Sequence, residues 1–433
     1  MGEHIAISGV HSFERSQSRG IAFALGFYFS FRLATVLISV DVLGLEPSMG
    51  TALNLGLDLI FFCLVCFDSL GSVGPTAKPI LRLPAARWVL VYLTFSALSL
   101  LWSESASKAT SFAYWCGLVL DVVSVVVLLR SGAADGDVIS LMKGFIWSSC
   151  LLALVAWIMP TQSDLRLGDE QYFNTNEIGN LCAIATFFAQ FLTRRNHGHW
   201  RFAKLLLVLT LIRSLSKSTL LAFLVGESVL LVMDRSIRRK TKVLLLGGAL
   251  ALILIFWGLF EAYYDVYTTA GNQAETLTGR TAIWLYVINA AFDRPWTLWI
   301  GHGFDSWWKV VPPFGYEKFE ARHAENEMLQ QFYAYGIAGL AFLIAIYGGL
   351  IAQLRKLARG PTKILLISIV LFTLVRGMAV ADSFDLILPV WAIVMLSLVI
   401  EQVRNEQVVT TFASGGRENP LSDDSGHPAV VPH

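Results

Sequence analysis

Apolar residues run through this chain in blocks long enough to cross a bilayer, and short polar turns separate the blocks. A spanning helix needs about 20 mostly apolar residues. Blocks of that kind lie near 21–42, 51–70, 88–102, 110–130, 138–159, 177–193, 202–216, 219–233, 242–260, 337–354, 363–380 and 386–400. The pattern predicts an all-α, polytopic integral membrane protein with about twelve transmembrane helices. One long interval, 261–336, has no run able to span, yet it carries clustered Arg, His, Glu, Asn and Trp residues. It is the natural place for chemistry.

Basic residues assign the sides. Lys78, Arg82, Arg87, Arg130, Arg194, Arg195, Arg201, Lys204, Arg235, Arg238, Arg239, Lys240, Lys242, Arg355, Lys356, Arg359 and Lys363 fall in or beside alternate loops. The loops between them, near 43–50, 103–109, 160–176 and 381–385, hold only Lys108 and Arg166. Both termini are therefore expected in the cytoplasm, with the 261–336 loop outside.

The pair 202–216 and 219–233 departs from the simple pattern. Basic clusters on both flanks require the chain to go out and return between them. The apolar arms, Leu205 to Ser214 and Thr219 to Met233, reach only roughly 15 and 22 Å, against a hydrocarbon core of about 30 Å. The turn holding Arg213 and Lys217 is expected to sit in a depression below the outer surface. Short or broken helices near mid-membrane often mark a site.

Composition agrees with the pattern. The 433-residue chain is 55% hydrophobic and 15% charged, with a mean hydropathy of +0.59. The formal net charge of +1 decides little. Cys63, Cys66, Cys116, Cys150 and Cys182 all lie in apolar stretches and read as small hydrophobes. No small-residue cleavage site follows the first apolar run, so the first helix is expected to remain. The expected organisation is a transmembrane domain over 1–400, including the periplasmic loop 261–336, and a disordered cytoplasmic tail over 401–433. That tail is polar, with Gly415, Gly416, Pro420 and Pro428.

Within the loop, Arg280 opens an amphipathic segment reaching Phe292, with Trp284 four residues along. A second helix is expected from about Ala321 to Tyr335. On it His323, Glu327 and Gln330 would line one face, with Asn326 beside them, and Gly336 and Gly339 would break it from the next span. The bland alternative is an interfacial helix with a solvated face. Trp296, Trp299, Trp307 and Trp308 read as headgroup anchors rather than sugar platforms, and His302, between two glycines, reads as structural or solvated. Arg32, Asp58, Asp121 and Arg376 fall within spans and need partners, Arg32 with Asp121 being one expected pair. No metal constellation or phosphate-cradling glycine loop is visible, so neither metal nor nucleotide is expected.

What remains is a set of cations at Arg213, Lys217 and Arg280, with His323 and its carboxylate and amide neighbours. Fixed cations suit a diphosphate, whose charge grows as it departs. A histidine suits removal of a proton from a sugar hydroxyl. Together they suggest glycosyl transfer from a lipid diphosphate at the outer face.

At these residues the sequence resembles the superfamily of O-antigen ligases and Wzy-type polymerases. The resemblance rests on Gly279-Arg280-x-x-Ile283-Trp284, on Pro295 with Gly301-x-Gly303-Phe304, and on His323-Ala-Glu325-Asn326-x-x-Leu329-Gln330 running into Gly336 and Gly339. Phe173-Asn174-x-Asn176-Glu177 and Ser216-Lys217-Ser218 add to it. Gly303-Phe304-x-x-Trp307-Trp308 and Ala381-Asp382-Ser383 look most like the exopolysaccharide repeat-unit polymerases.

The resemblance implies a GT-C-like, cofactor-free glycosyltransferase of the bacterial inner membrane. It implies an undecaprenyl-diphosphate-linked glycan as substrate, inversion at the anomeric carbon, and membrane lipid, a flippase and chain-length regulators as partners, with no nucleic acid. His323, Glu325 and Arg280 become the catalytic candidates, and Arg213, Lys217, Arg280, Asn326 and Gln330 the substrate-binding ones. Many members have a second histidine where Glu325 stands, so the base is divided between His323 and Glu325, with His323 favoured. Lys217 replaces the usual arginine and loses its bidentate fork.

Two rivals to polymerisation remain. One is ligation of a finished polymer to lipid A-core. The other is transport of a lipid-linked glycan, which twelve spans would suit, although the long loop with ordered motifs and the lack of an inverted repeat count against it.

Overall fold

A computed structural model describes residues 2–70, 82–130, 134–162, 165–168, 173–195, 197–233, 238–255, 277–307, 323–382 and 384–415. Every regular element among them is helical. The first helix, α1 (Gly2–Leu37), ends in a π-turn over Ile38–Val42 and packs along α5 (Ala134–Ile158). Glycine makes this contact possible. A Cβ on Gly26 would stand 2.0 Å from the Leu141 carbonyl oxygen, and one on Gly144 would stand 1.9 Å from that of Phe23. Lipid tails remove the hydrophobic drive between helices, so close backbone approach of this kind must supply the attraction. Ser30 and Ser149 share a hydrogen bond (2.8 Å) along the same seam.

Next come α2 (Pro47–Leu70), α3 (Pro84–Ser99) and α4 (Lys108–Arg130). The expected pairing of Arg32 with Asp121 is present. Arg32 donates from Nη1 and Nη2 to both Asp121 carboxylate oxygens at 2.8 and 2.7 Å, and from Nη2 to Asp58 at 2.5 Å. Tyr28 also donates to Asp58 (2.8 Å). One guanidinium thus ties α1, α2 and α4 together.

The chain continues through α6 (Thr175–Arg194), α7 (Arg201–Arg213), α8 (Lys217–Met233) and α9 (Arg239–Ile255). The helices α7 and α8 contain 13 and 17 residues, and a left-handed Leu215 (φ 58°) turns the chain between them. At 1.5 Å per residue both arms are shorter than the hydrocarbon core, as the short apolar runs predict.

After α10 (Leu277–Ala290) and the single turn α11 (Thr297–Ile300) come α12 (Glu327–Arg355), α13 (Pro361–Gly377) and α14 (Val390–Gly415). The first half of α14 is buried on every side, as a helix that is apolar all round must be. It is the central post, with Trp391 stacked on Phe29 of α1 (4.1 Å).

Five helices among the described residues are long and apolar enough to cross a bilayer: Arg19–Val40, Met49–Leu70, Lys108–Leu129, Gly136–Ile158 and Glu327–Arg355. The molecule is an all-helical, multi-pass membrane protein. The other helices of the expected twelve are shorter or more charged than these five. The helix expected over 337–354 is longer at its front, because it merges across Gly336 with the segment before it. Helix α14 also continues through Gly415, into the stretch expected to be a disordered tail. The rest of that tail, 416–433, lies outside the described residues, as do 261–276 and 308–322 of the long loop.

The two ends of the bundle differ. Arg195 pairs with Glu406, Arg194 donates to the Pro361 carbonyl (2.5 Å), and Lys363 donates to the Leu357 carbonyl (2.7 Å). At the opposite end of α6, α12 and α13 lie the loops that carry His302, His323 and Asp382.

Candidate functional site

The site is organised by a break in α12. Gly336 interrupts the helix with φ 62°, and its Cβ, if it had one, would stand 2.6 Å from the Leu298 carbonyl oxygen. A kink strands carbonyls in the preceding turn. Two of them are taken up from outside: His302 N–H donates to the Tyr333 carbonyl (3.0 Å) and Gly303 N–H to that of Ala334 (2.8 Å). The Gly301-His302-Gly303 strip is thereby fixed against α12.

The segment leading into α12 is held just as tightly. Ala324 is fully buried. Its N–H donates to Gln330 Oε1 (2.8 Å) and its carbonyl accepts from the Trp284 indole of α10 (3.0 Å). A small apolar cluster of Ile283, Val287, Ala290, Trp307 and Tyr333 closes around it. Asn326 caps α12 by accepting from Leu329 N–H (3.1 Å), and its amide donates to the Met378 carbonyl beyond α13 (3.0 Å).

The expected helix over 321–335 therefore starts later, at Glu327. His323 stands ahead of the cap, so His323, Glu327 and Gln330 do not line one helical face. Glu327 points into the bundle instead, where it accepts from Tyr347 (3.2 Å) and from Ile387 N–H (2.8 Å). The side chains of Gln330 and Asn326, expected to bind substrate, are engaged in holding the loop.

On this fixed loop His323, Glu325 and Arg280 come together. Arg280, in the first turns of α10, lies with Nη2 3.2 Å from Glu325 Oε2. His323 Nδ1 accepts from Glu325 N–H (3.3 Å) and is 3.6 Å from the Glu325 carboxylate. Glu325 has φ 53°, a left-handed conformation that costs a non-glycine residue energy. All three side chains are about one-fifth exposed.

A buried cation joins this cluster to the α7–α8 turn. Arg376, at the end of α13, is 1% exposed. It donates to Thr219 of α8 (3.3 Å) and to the Asn176 carbonyl of α6 (3.3 Å). Ser216 donates to the Asn176 side chain (2.7 Å), completing the junction. Arg376 lies within electrostatic reach of Glu325, Glu327, Asp382 and Glu177, and Glu177 within that of His323. Arg376 and Glu177 were legible only as an intramembrane charge needing a partner and as part of a short motif. Their place beside His323 comes from three helix ends meeting, which no spacing reveals.

Arg213 donates to the Leu165 carbonyl (2.6 Å), so its guanidinium is anchored to the 165–168 loop. Lys217 is exposed in the first turn of α8, next to Ser216. Both cations flank Ser216, whose bond to Asn176 leads to Arg376 and so to the cluster.

His302 is buried and structural. It stacks on Tyr333 (4.5 Å) and lies between the Ala290 carbonyl (3.2 Å) and Glu104 (3.4 Å). Trp296 and Trp299 are exposed, as headgroup anchors would be, whereas Trp307 is buried. Trp308 lies outside the described residues. Across the turn from Trp307, burial pushes the Asp305 carboxyl up from its ordinary value, opposed by a hydrogen bond from Ser111 (2.6 Å).

Comparison with known proteins adds one finding. A family model described as O-antigen ligase matches residues 202–344, about a third of the chain. The match runs from α7 into α12 and takes in Arg213, Lys217, Arg280, His323 and Glu325. It bears out the resemblance to the O-antigen ligase and Wzy-type polymerase superfamily. No curated protein matches the chain.

Proposed function

From a family match that encloses an arginine–carboxylate–imidazole cluster, we propose that this protein is a membrane glycosyltransferase acting on polyprenyl-diphosphate-linked glycans. The reaction is polymerisation of repeat units into exopolysaccharide or O-antigen at the periplasmic face of the inner membrane, within a bundle of about twelve spans. The observation that carries this reading is Glu325 held between Arg280 and His323 on a rigid loop, with Arg376 behind it.

The residues divide the work. His323 Nε2 points away from Glu325 and takes the proton of an acceptor hydroxyl. For that, the proton must sit on Nδ1, so Nδ1 must exchange the Glu325 N–H from which it accepts for the Glu325 carboxylate 3.6 Å away. The acceptor oxygen then bonds to the anomeric carbon as its bond to the diphosphate oxygen breaks, with inversion. Arg280, with Lys217 and Arg213 nearer the floor, neutralises the charge that the leaving diphosphate acquires. Glu325 is the weaker base candidate, because its carboxylate is already engaged by Arg280.

Ligation to lipid A-core is the second reading, favoured by the description of the matching family. Incubating the purified protein with lipid-linked repeat units, with and without lipid A-core, separates the two. A ladder without the core acceptor means polymerase, and transfer only in its presence means ligase. No transfer in either mixture would overturn both.

A further inference from the structure

A cavity of about 510 Å³ lies between α3, α4, the Phe304–Trp307 turn and α12, with Gln330 in its wall. Its volume is that of a small-molecule site, about 300–1,000 Å³. Its wall is aromatic: Tyr114 and Phe384 stack on each other (4.2 Å, 26°), and Tyr335 and Trp307 face in with them. Gln331 and Asp305 stand among the polar groups of the lining. Gln331 is 4% exposed, and its side-chain oxygen has no hydrogen-bond partner among the described residues, although the amide is within reach of the Tyr92 hydroxyl. Asp305 uses Oδ2 to accept from Ser111 and is held in a left-handed conformation, φ 57°.

A buried acceptor without a donor carries a free-energy penalty that a ligand hydroxyl would remove. Among the described residues that line the cavity, Asp305, an anion, is the one charged group. A diphosphate is therefore a poor occupant, and a bare hydrocarbon chain would leave the Gln331 oxygen unsatisfied. A sugar ring offers apolar C–H faces for the aromatic wall and hydroxyl donors for Gln331 and Asp305. We propose that this cavity is a subsite for an uncharged pyranose ring of the glycan, a reading that rests on glycosyl transfer as the function. Gln330 connects the two sites, since the same residue lines the cavity and holds the Ala324 backbone beside His323.

The test uses the purified full-length protein in detergent. Saturation-transfer NMR is recorded with the methyl glycosides of glucose, galactose, mannose and N-acetylglucosamine, and with decaprenol as the lipid probe. At least one glycoside should receive saturation on its ring protons. The signal should fall about tenfold, equivalent to one good hydrogen bond or stack, in Gln331→Leu, Asp305→Asn and Tyr114→Ala. The near-isosteric Gln331→Leu and Asp305→Asn changes keep the test open if the tyrosine variant does not fold. Binding by no glycoside, binding unchanged in these variants, or decaprenol displacing the glycoside from the cavity would overturn the subsite. Glycoside binding without any transfer from lipid-linked repeat units would remove the enzymatic reading and leave the sugar site standing. Transfer without glycoside binding would remove the subsite alone.

Discussion

Arg280 and Glu325 form an ion pair across 45 residues of sequence, and the same carboxylate lies 3.6 Å from His323. In the proposed reaction Glu325 would do two things: hold a guanidinium that a diphosphate otherwise attracts, and offer its carboxylate to Nδ1 of the imidazole. A diphosphate arriving at Arg280 in that reaction would release the carboxylate to His323 and so couple substrate binding to activation of the base.

Glu325→Gln separates these roles from that of the base itself. The amide keeps the shape but neither pairs with Arg280 nor stabilises an imidazolium. Transfer by this variant should drop by about 10²-fold, the lower range for a general-base contribution, while His323→Ala falls to the background. Both are read by polymer formation in proteoliposomes, with insertion checked by gel filtration. Full polymer from His323→Ala would refute the assignment of the base.

Gln330→Leu tests the scaffold. The substitution leaves the Ala324 N–H buried without a partner, at a cost of about 1–3 kcal/mol. The His323 loop should loosen, lowering the turnover rate more than the apparent substrate affinity. A variant with wild-type turnover and a weakened affinity would instead return Gln330 to direct substrate binding.

Much of this was legible in the sequence. The apolar blocks gave the helical class, and their shortness at 202–233 gave the abbreviated hairpin, because length in residues converts directly into depth. Arg32 with Asp121 could be read because an intramembrane charge must find an opposite one. The start of α12 was misplaced because His323-Ala-Glu has ordinary helical composition. The helix is stopped by Asn326 capping Leu329, with Glu325 in a left-handed turn, and contacts from Trp284, Arg280, Met378 and Gln330 hold that turn. The aromatic cavity was illegible for another reason: its walls come from α3, α4, α12 and three loops, whose adjacency no local pattern encodes.

Arg32 should be among the most sensitive positions for stability. Removing it leaves Asp58 and Asp121 facing each other without a counter-charge. Breaking a buried pair in this way costs about 3–5 kcal/mol. Arg32→Ala should therefore unfold at a markedly lower temperature in detergent, and Asp121→Asn added to it should recover part of the loss. No recovery in the double variant would show that the guanidinium acts through packing on Tyr28 and Phe29 alone.

The α1–α5 seam makes a steric prediction. A leucine at Gly26 or Gly144 must push the backbones apart, since even a Cβ there would overlap a carbonyl oxygen. Either substitution should abolish the folded, monodisperse protein, whereas Gly20→Leu, with open space around it, should be tolerated. Normal yield from Gly144→Leu would contradict the close packing.

Asp305 gives a pH prediction whose sign follows from burial. Its carboxyl is raised in the folded protein, so folding favours the protonated form. That contribution is fully present below the unfolded value of about 3.9 and is lost as pH rises through the folded value. Asp305→Asn cannot ionise and lacks this loss. Relative to wild type, the asparagine variant should gain thermal stability steadily from the ordinary carboxylate range up to the raised value, and then hold a constant advantage. Paired melting curves of the two proteins across that range measure it, with other carboxylates cancelling in the difference. A difference that stays flat with pH would mean that the Ser111 hydrogen bond fully offsets the cost of burying the charge.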